Sequence, residues 1–145
     1  METDSFNNMA DTGYNWDAAW TAVDAAIVLT QGGTIIDTSA EQDLDGKAAA
    51  LISIDVDYSD HAKATGGLSV FLLRETGDDS DETEADGAWG FEMPFTQNAT
   101  NRKVFAVSAA DFQKFKIHLD WDNSTGSSVA TVRTDIKFAT IPVAS

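Results

Sequence analysis

Six carboxylates crowd the nine residues from Asp78 to Asp86: Asp78, Asp79, Asp81, Glu82, Glu84 and Asp86. Oxygen ligands at that density suit a hard divalent cation, provided their spacing is ordered and a glycine forces the turn. Neither condition is met. No glycine stands at the sixth position counted from Asp78 or Asp79, and no glutamate at the twelfth. That rules out the EF-hand pattern and leaves an irregular divalent-cation site open; a solvated hairpin tip is the favoured reading, and a contact to arginine or lysine on a partner subunit is a third. Asp55, Asp57 and Asp60 make a looser group. Asp55 and Asp57 share one face of a strand, where solubility accounts for them.

The two histidines are His61, in a polar loop, and His118, between Lys116 and Asp120. A hydrolytic triad needs a nucleophile, a base and an orienting acid within hydrogen-bond reach. No Gly-x-Ser-x-Gly elbow is present. Paired-carboxylate glycosidase chemistry would need two acids flanked by apolar strand residues, and no such glutamate pair occurs. Cysteine is absent, which excludes disulfides, thiolate catalysis and thiolate metal sites. Gly32-Gly33 and Gly66-Gly67 are turn glycines, not phosphate loops. Asn98-Ala99-Thr100 and Asn123-Ser124-Thr125 match glycosylation acceptors and are taken as chance matches. The expectation is a protein that is not an enzyme, with no catalytic residue, cofactor or metal.

The elements that would position any site are strands. From Lys114 to Asp122, Phe115, Ile117, Leu119 and Trp121 fall on one face and Lys114, Lys116, His118, Asp120 and Asp122 on the other. A period of two over this length marks a strand buried on one side. Eight such segments are expected: 22–30, 34–38, 49–58, 68–75, 89–95, 103–107, 114–122 and 128–138. In the third, Ile52, Ile54, Val56 and Tyr58 share the apolar face. The fourth, Leu68-Ser69-Val70-Phe71-Leu72-Leu73, is apolar on both faces, so it should be central and covered on its second side. Trp89, Phe91, Met93 and Phe95 alternate in the fifth, which places Trp89 and Trp121 in the core. Pro94 belongs at a strand end or sheet edge. Ser108 to Asp111 fits a capping box for one short helical turn, with Phe112 plugged into the core.

Eight short strands with almost no helix imply an all-β protein, an antiparallel β-sandwich for which a jelly roll is the preferred topology. At 145 residues one domain is expected. Residues 1–20 break the alternation and read as an extended N-terminal arm; residues 21–145 make the sandwich. Phe6, Tyr14, Trp16 and Trp20 are the arm's aromatic anchors.

The net charge is −15, with 20 acidic and 3 basic residues in positions 1–100. Such repulsion opposes binding to nucleic acid or anionic membranes. The opening Met1-Glu2-Thr3-Asp4 has neither a basic region nor an apolar run, so no cleaved secretion signal is expected.

The stretch Leu68–Arg74, its polar tip, Trp89-Gly90-Phe91, then Ala110–Asp120 with Asn123-Ser124-Thr125 resembles small β-sandwich virion proteins of tailed bacteriophages, notably capsid decoration or cement proteins. The resemblance spans roughly residues 22–140 and is one of pattern, not of an invariant motif. It implies a jelly roll or related sandwich, made in the host cytoplasm, that binds the outside of an assembled capsid. Its partners would be the major capsid protein, whose joints it reinforces, and itself, commonly as a homotrimer. No catalytic residue carries over. The partner-binding residues would be Phe6, Tyr14, Trp16 and Trp20 on the arm and Asp78, Asp79, Asp81, Glu82 and Glu84 on the acidic loop. A tail, neck or baseplate protein is the alternative within virions. A carbohydrate-binding module is the alternative of another class; it predicts a row of exposed aromatics on one sheet face.

Overall fold

Alternation demands strands, and the computed structural model delivers them; it describes residues 14–59, 66–96, 99–121 and 128–141. Ten strands follow in order: β1 (Asn15–Trp16), β2 (Thr21–Thr30), β3 (Ile36–Thr38), β4 (Gln42–Asp43), β5 (Ala49–Tyr58), β6 (Leu68–Arg74), β7 (Trp89–Met93), β8 (Thr100–Ser108), β9 (Lys114–Asp120) and β10 (Val129–Thr140). The eight expected strands are all present, joined by the two-residue β1 and β4 and a short 3-10 turn at Glu84–Asp86.

Every pairing is antiparallel. In the first sheet β10 carries β1 and β2 on one side and β5 on the other, with β8 beyond β5. In the second, β9 carries β3 and β4 on one side and β6 on the other, with β7 beyond β6. Leave aside β1 and β4 and eight strands remain. The first pairs with the last, the second with the seventh, the third with the sixth and the fourth with the fifth. That is one long hairpin rolled on itself, the jelly roll. The turn at Gln31–Gly33 therefore passes from one sheet to the other instead of closing a hairpin.

Between the sheets lies one continuous core. From the first sheet come Leu29, Ile52, Ile54, Val56, Val132 and Ile136; from the second, Leu68, Val70, Leu72, Phe115, Ile117 and Leu119. Trp121 is fully buried among them, as its alternation requires. Tyr58 ties the layers polar group to polar group. Its hydroxyl donates to the Met93 carbonyl and accepts the Leu68 amide, each at 2.9 Å. Burial pushes the phenol up to about 12, since an ionised ring there would lose its water. Two glycines permit close approach: a Cβ on Gly67 would lie 2.0 Å from the Met93 carbonyl oxygen, and one on Gly90 would lie 2.5 Å from the Phe71 ring.

β6 is central and covered on both sides, as its sequence requires. Phe71 and Leu73 share the outer face with His118 and Lys116 of β9, and Leu73 is buried there. The Ser108 hydroxyl accepts the Asp111 amide and donates to the Asp111 carboxylate, half of the expected capping box, and the segment makes a turn, not a helix. Phe112 packs half-buried against the core.

Candidate functional site

The two outer faces of the sandwich differ, and the difference locates the candidate binding surface. On the second sheet, the segment between β6 and β7 folds back over the polar face of β9. Lys116 Nζ donates to Asp81 Oδ2 at 2.7 Å, which holds the lysine ammonium above its usual range. Arg74 makes a forked contact to Glu82, with Nε–Oε1 3.0 Å and Nη2–Oε2 3.2 Å. That hydrogen-bonded guanidinium keeps the Glu82 carboxyl below the ordinary range. His118 Nε2 lies 2.8 Å from Glu84 Oε2. The 3-10 turn that presents Glu84 is capped by Thr83, whose amide and hydroxyl both donate to Asp86.

The acidic loop is thus not a free hairpin tip along its whole length. Asp81, Glu82 and Glu84 meet cations and an imidazole of their own domain, while Asp78 and Asp79 remain exposed. Exposed pairs of this kind contribute modestly to stability one by one. Together they fix the loop. His118, on the polar face of its strand, is 9% exposed because the loop lies over it. Its Nδ1 hydrogen-bonds with Thr38 Oγ1 at 2.8 Å.

A cleft of about 630 Å³ opens beside this loop, lined by Arg74, Glu75, Glu82, Asp111 and Lys114 among others. Its cations are engaged, Arg74 with Glu82 and Lys114 with Glu75 at 4.0 Å. His118 is not among its lining residues.

The outer face of the first sheet exposes large apolar side chains among the described residues. Trp16 pairs with Ala139, and Val28 with Thr131, both on the outward set of β10. Val104 pairs with Ser53 on the same face. The Trp20 ring lies 5.1 Å from Nζ of outward-facing Lys137. Trp16, Trp20, Val28 and Val104 are 36%, 39%, 57% and 55% exposed. Tyr14, 37% exposed, meets Trp16 edge-on with ring centres 5.9 Å apart. The arm is not wholly free of the domain: Asn15 and Trp16 pair with β10, and the Asp17 carboxylate accepts the Phe138 amide at 2.9 Å. Phe6, Asp60, His61, Asn98 and Asn123 lie outside the described residues.

Trp89 corrects the sequence expectation. It shares the inward face with Phe91 and Met93, yet 44% of it is exposed. It begins β7, an edge strand, and packs on Phe91, Phe105 and Phe112 where the two sheets part. Alternation assigns a face; it does not say how far from the rim a residue stands.

No protein-family model matches the sequence, and no curated protein matches it. Solved structures do match. One is of the infectious bursal disease virus Gt strain, with 10% identity, a TM-score of 0.54, and coverage of 88% of this chain and 32% of that one. Another is the infectious bursal disease virus VP2 subviral particle, with 12% identity, a TM-score of 0.52, and coverage of 88% and 33%. A CBM4 structure matches at 11% identity and a TM-score of 0.45, over 83% of this chain and 75% of that one. At such identities the likeness to the viral chains is one of fold. This chain spans about a third of their length.

Proposed function

We propose that this chain is a structural virion protein that binds the outside of an assembled bacteriophage capsid and stabilises joints between major capsid proteins. One observation carries the reading: the outer face of the second sheet is covered by the acidic loop, whereas that of the first exposes Trp16, Trp20, Val28 and Val104 among the described residues. Tryptophan and tyrosine are favoured as binding anchors because they bury much area with few rotors. The fold likeness to a viral subviral particle supports a lattice role. In this reading the net charge of −15 keeps the free protein dispersed, and copies associate as trimers on the shell, where repeated sites add avidity. The exposed Asp78 and Asp79 then face solvent or a basic patch of the shell.

Co-sedimentation with particles of the virus that encodes the chain tests this. Two lost anchors at about 2 kcal/mol each weaken binding by roughly 1,000-fold. Trp16→Ala with Trp20→Ala should therefore empty the particles, while Trp89→Ala leaves occupancy unchanged. Full occupancy by the double variant would overturn the reading.

A second reading, a carbohydrate-binding sandwich, draws support from the exposed Trp89 ring and its neighbours Phe91 and Phe105. A glycan array decides it: binding abolished by Trp89→Ala supports that class.

A further inference from the structure

We propose that Glu84, His118 and Asp120 form a binding site for a borderline divalent transition ion of the zinc class, which pins the acidic loop to the second sheet. The inference rests on side-chain geometry and stands whether or not the chain is a virion protein. One ligand atom from each residue lies within 4.8 Å of the other two. His118 and Asp120 alternate on β9, opposite Phe71 and Ser69, so both project on the same face. Glu84 comes from the loop above, on a turn fixed by the Thr83–Asp86 cap and by Lys116–Asp81.

The donor set chooses the metal. Calcium and magnesium take oxygen ligands, whereas an imidazole with two carboxylates suits zinc and its neighbours. In a tetrahedral zinc site, bonds of about 2.0–2.2 Å place ligand atoms about 3.3 Å apart. The 2.8 Å contact between His118 and Glu84 must open slightly, and the other ligand atoms, within 4.8 Å of one another, must settle to that spacing. Metal-bound histidines characteristically hold their second ring nitrogen in a hydrogen bond. Here the Nδ1 contact to Thr38 Oγ1 is already made at 2.8 Å. With Nε2 on the ion, the ring carries its proton on Nδ1 and donates it to Thr38 Oγ1. The Nε2 lone pair goes to the ion, and a proton held on Nε2 before binding ends on Nδ1 or in solvent. Lys116 pairs with Asp81 and Arg74 with Glu82, which tie the same loop to the sheet. Three protein ligands leave a position for water or for a group on a partner.

The test uses the tag-free full chain, stripped with chelator and titrated with zinc chloride by calorimetry, with calcium chloride as control. We expect one zinc per chain, a rise in Tm on loading, and no comparable response to calcium. Thr38→Val, which removes only the outer hydrogen bond, should weaken zinc by about 10–100-fold. Asp120→Asn should abolish stoichiometric binding. His118→Gln should do the same; if it fails to fold, cobalt supplies the readout. Wild-type chain with cobalt should show the visible bands of a low-coordinate ion, and Asp120→Asn should lose them. Absence of saturable zinc binding, equal binding of calcium, or full binding by Thr38→Val and Asp120→Asn would overturn the site and leave an ordinary ion-paired clasp.

Discussion

Removing one oxygen from the middle of the sandwich should show how the two layers are held in register. Tyr58 belongs to β5 of the first sheet, and its hydroxyl stands between the Leu68 amide and the Met93 carbonyl of the second. Tyr58→Phe keeps the ring and its packing on Phe95 and Trp121. It leaves an amide and a carbonyl facing a C–H. Leu68 is fully buried and Met93 nearly so, so water does not easily replace the hydroxyl. At about 1–3 kcal/mol for each stranded group, partly relieved by relaxation, the loss should be about 2–4 kcal/mol. A domain of this size then melts roughly 6–12 °C lower. Urea unfolding measures it, with an unchanged slope showing that the same surface is exposed. A loss below about 1 kcal/mol would refute the reasoning, because it would mean that neither group depends on the phenol. The pH dependence gives a second check. The phenol is pushed up to about 12, so its neutral form is the one the fold stabilises. That contribution is complete below the ordinary value of 10.0 and fades as pH climbs through about 12. Wild type should therefore converge toward Tyr58→Phe across this window.

Two further substitutions probe the frame around the core and the gap at its opposite edge. Gly67→Ala would set a Cβ 2.0 Å from the Met93 carbonyl oxygen, a clash with backbone, and should cost roughly 3 kcal/mol or prevent folding; chemical denaturation or soluble yield reads it. Asp37 pairs with Leu119 and so faces inward, where burial and then Asp24 raise its carboxyl while His118 opposes them. A raised carboxyl favours the fold below its ordinary value of 3.8 and loses that contribution as pH rises. Asp37→Asn should therefore stabilise the protein at pH 7, by less than about 1 kcal/mol because water screens a half-exposed group, and the gain should vanish on acidification.

Much of this architecture is legible in the sequence because one-sided burial writes itself as alternation. Period alone sets Phe115, Ile117, Leu119 and Trp121 on one face, and all four are buried. The double-sided apolarity of Leu68–Leu73 carries the central place of β6. What alternation cannot carry is who pairs with whom. Thr30 meets Val129 and Asn15 meets Thr140, contacts made across nearly the whole chain. The two-residue β1 and β4 are too short to have a period. The surroundings of the acidic loop are less legible for a related reason. His118 reads as an exposed polar-face residue until Glu84, 34 positions away, comes down on it. Thr83-x-x-Asp86 is a capping signature that an acidic background hides. Trp89 has the right face but too shallow a position, since a strand's place at the sheet edge is decided by its neighbours.

The proposal to test is that the chain grips its partner through the exposed apolar side chains on the outer face of the first sheet. Hydroxyl-radical footprinting of the chain, free and bound to particles, tests it most directly. Trp16 and Trp20 should lose reactivity on binding while Trp89 keeps it. Protection of Trp89 with Trp16 and Trp20 still reactive would contradict the account.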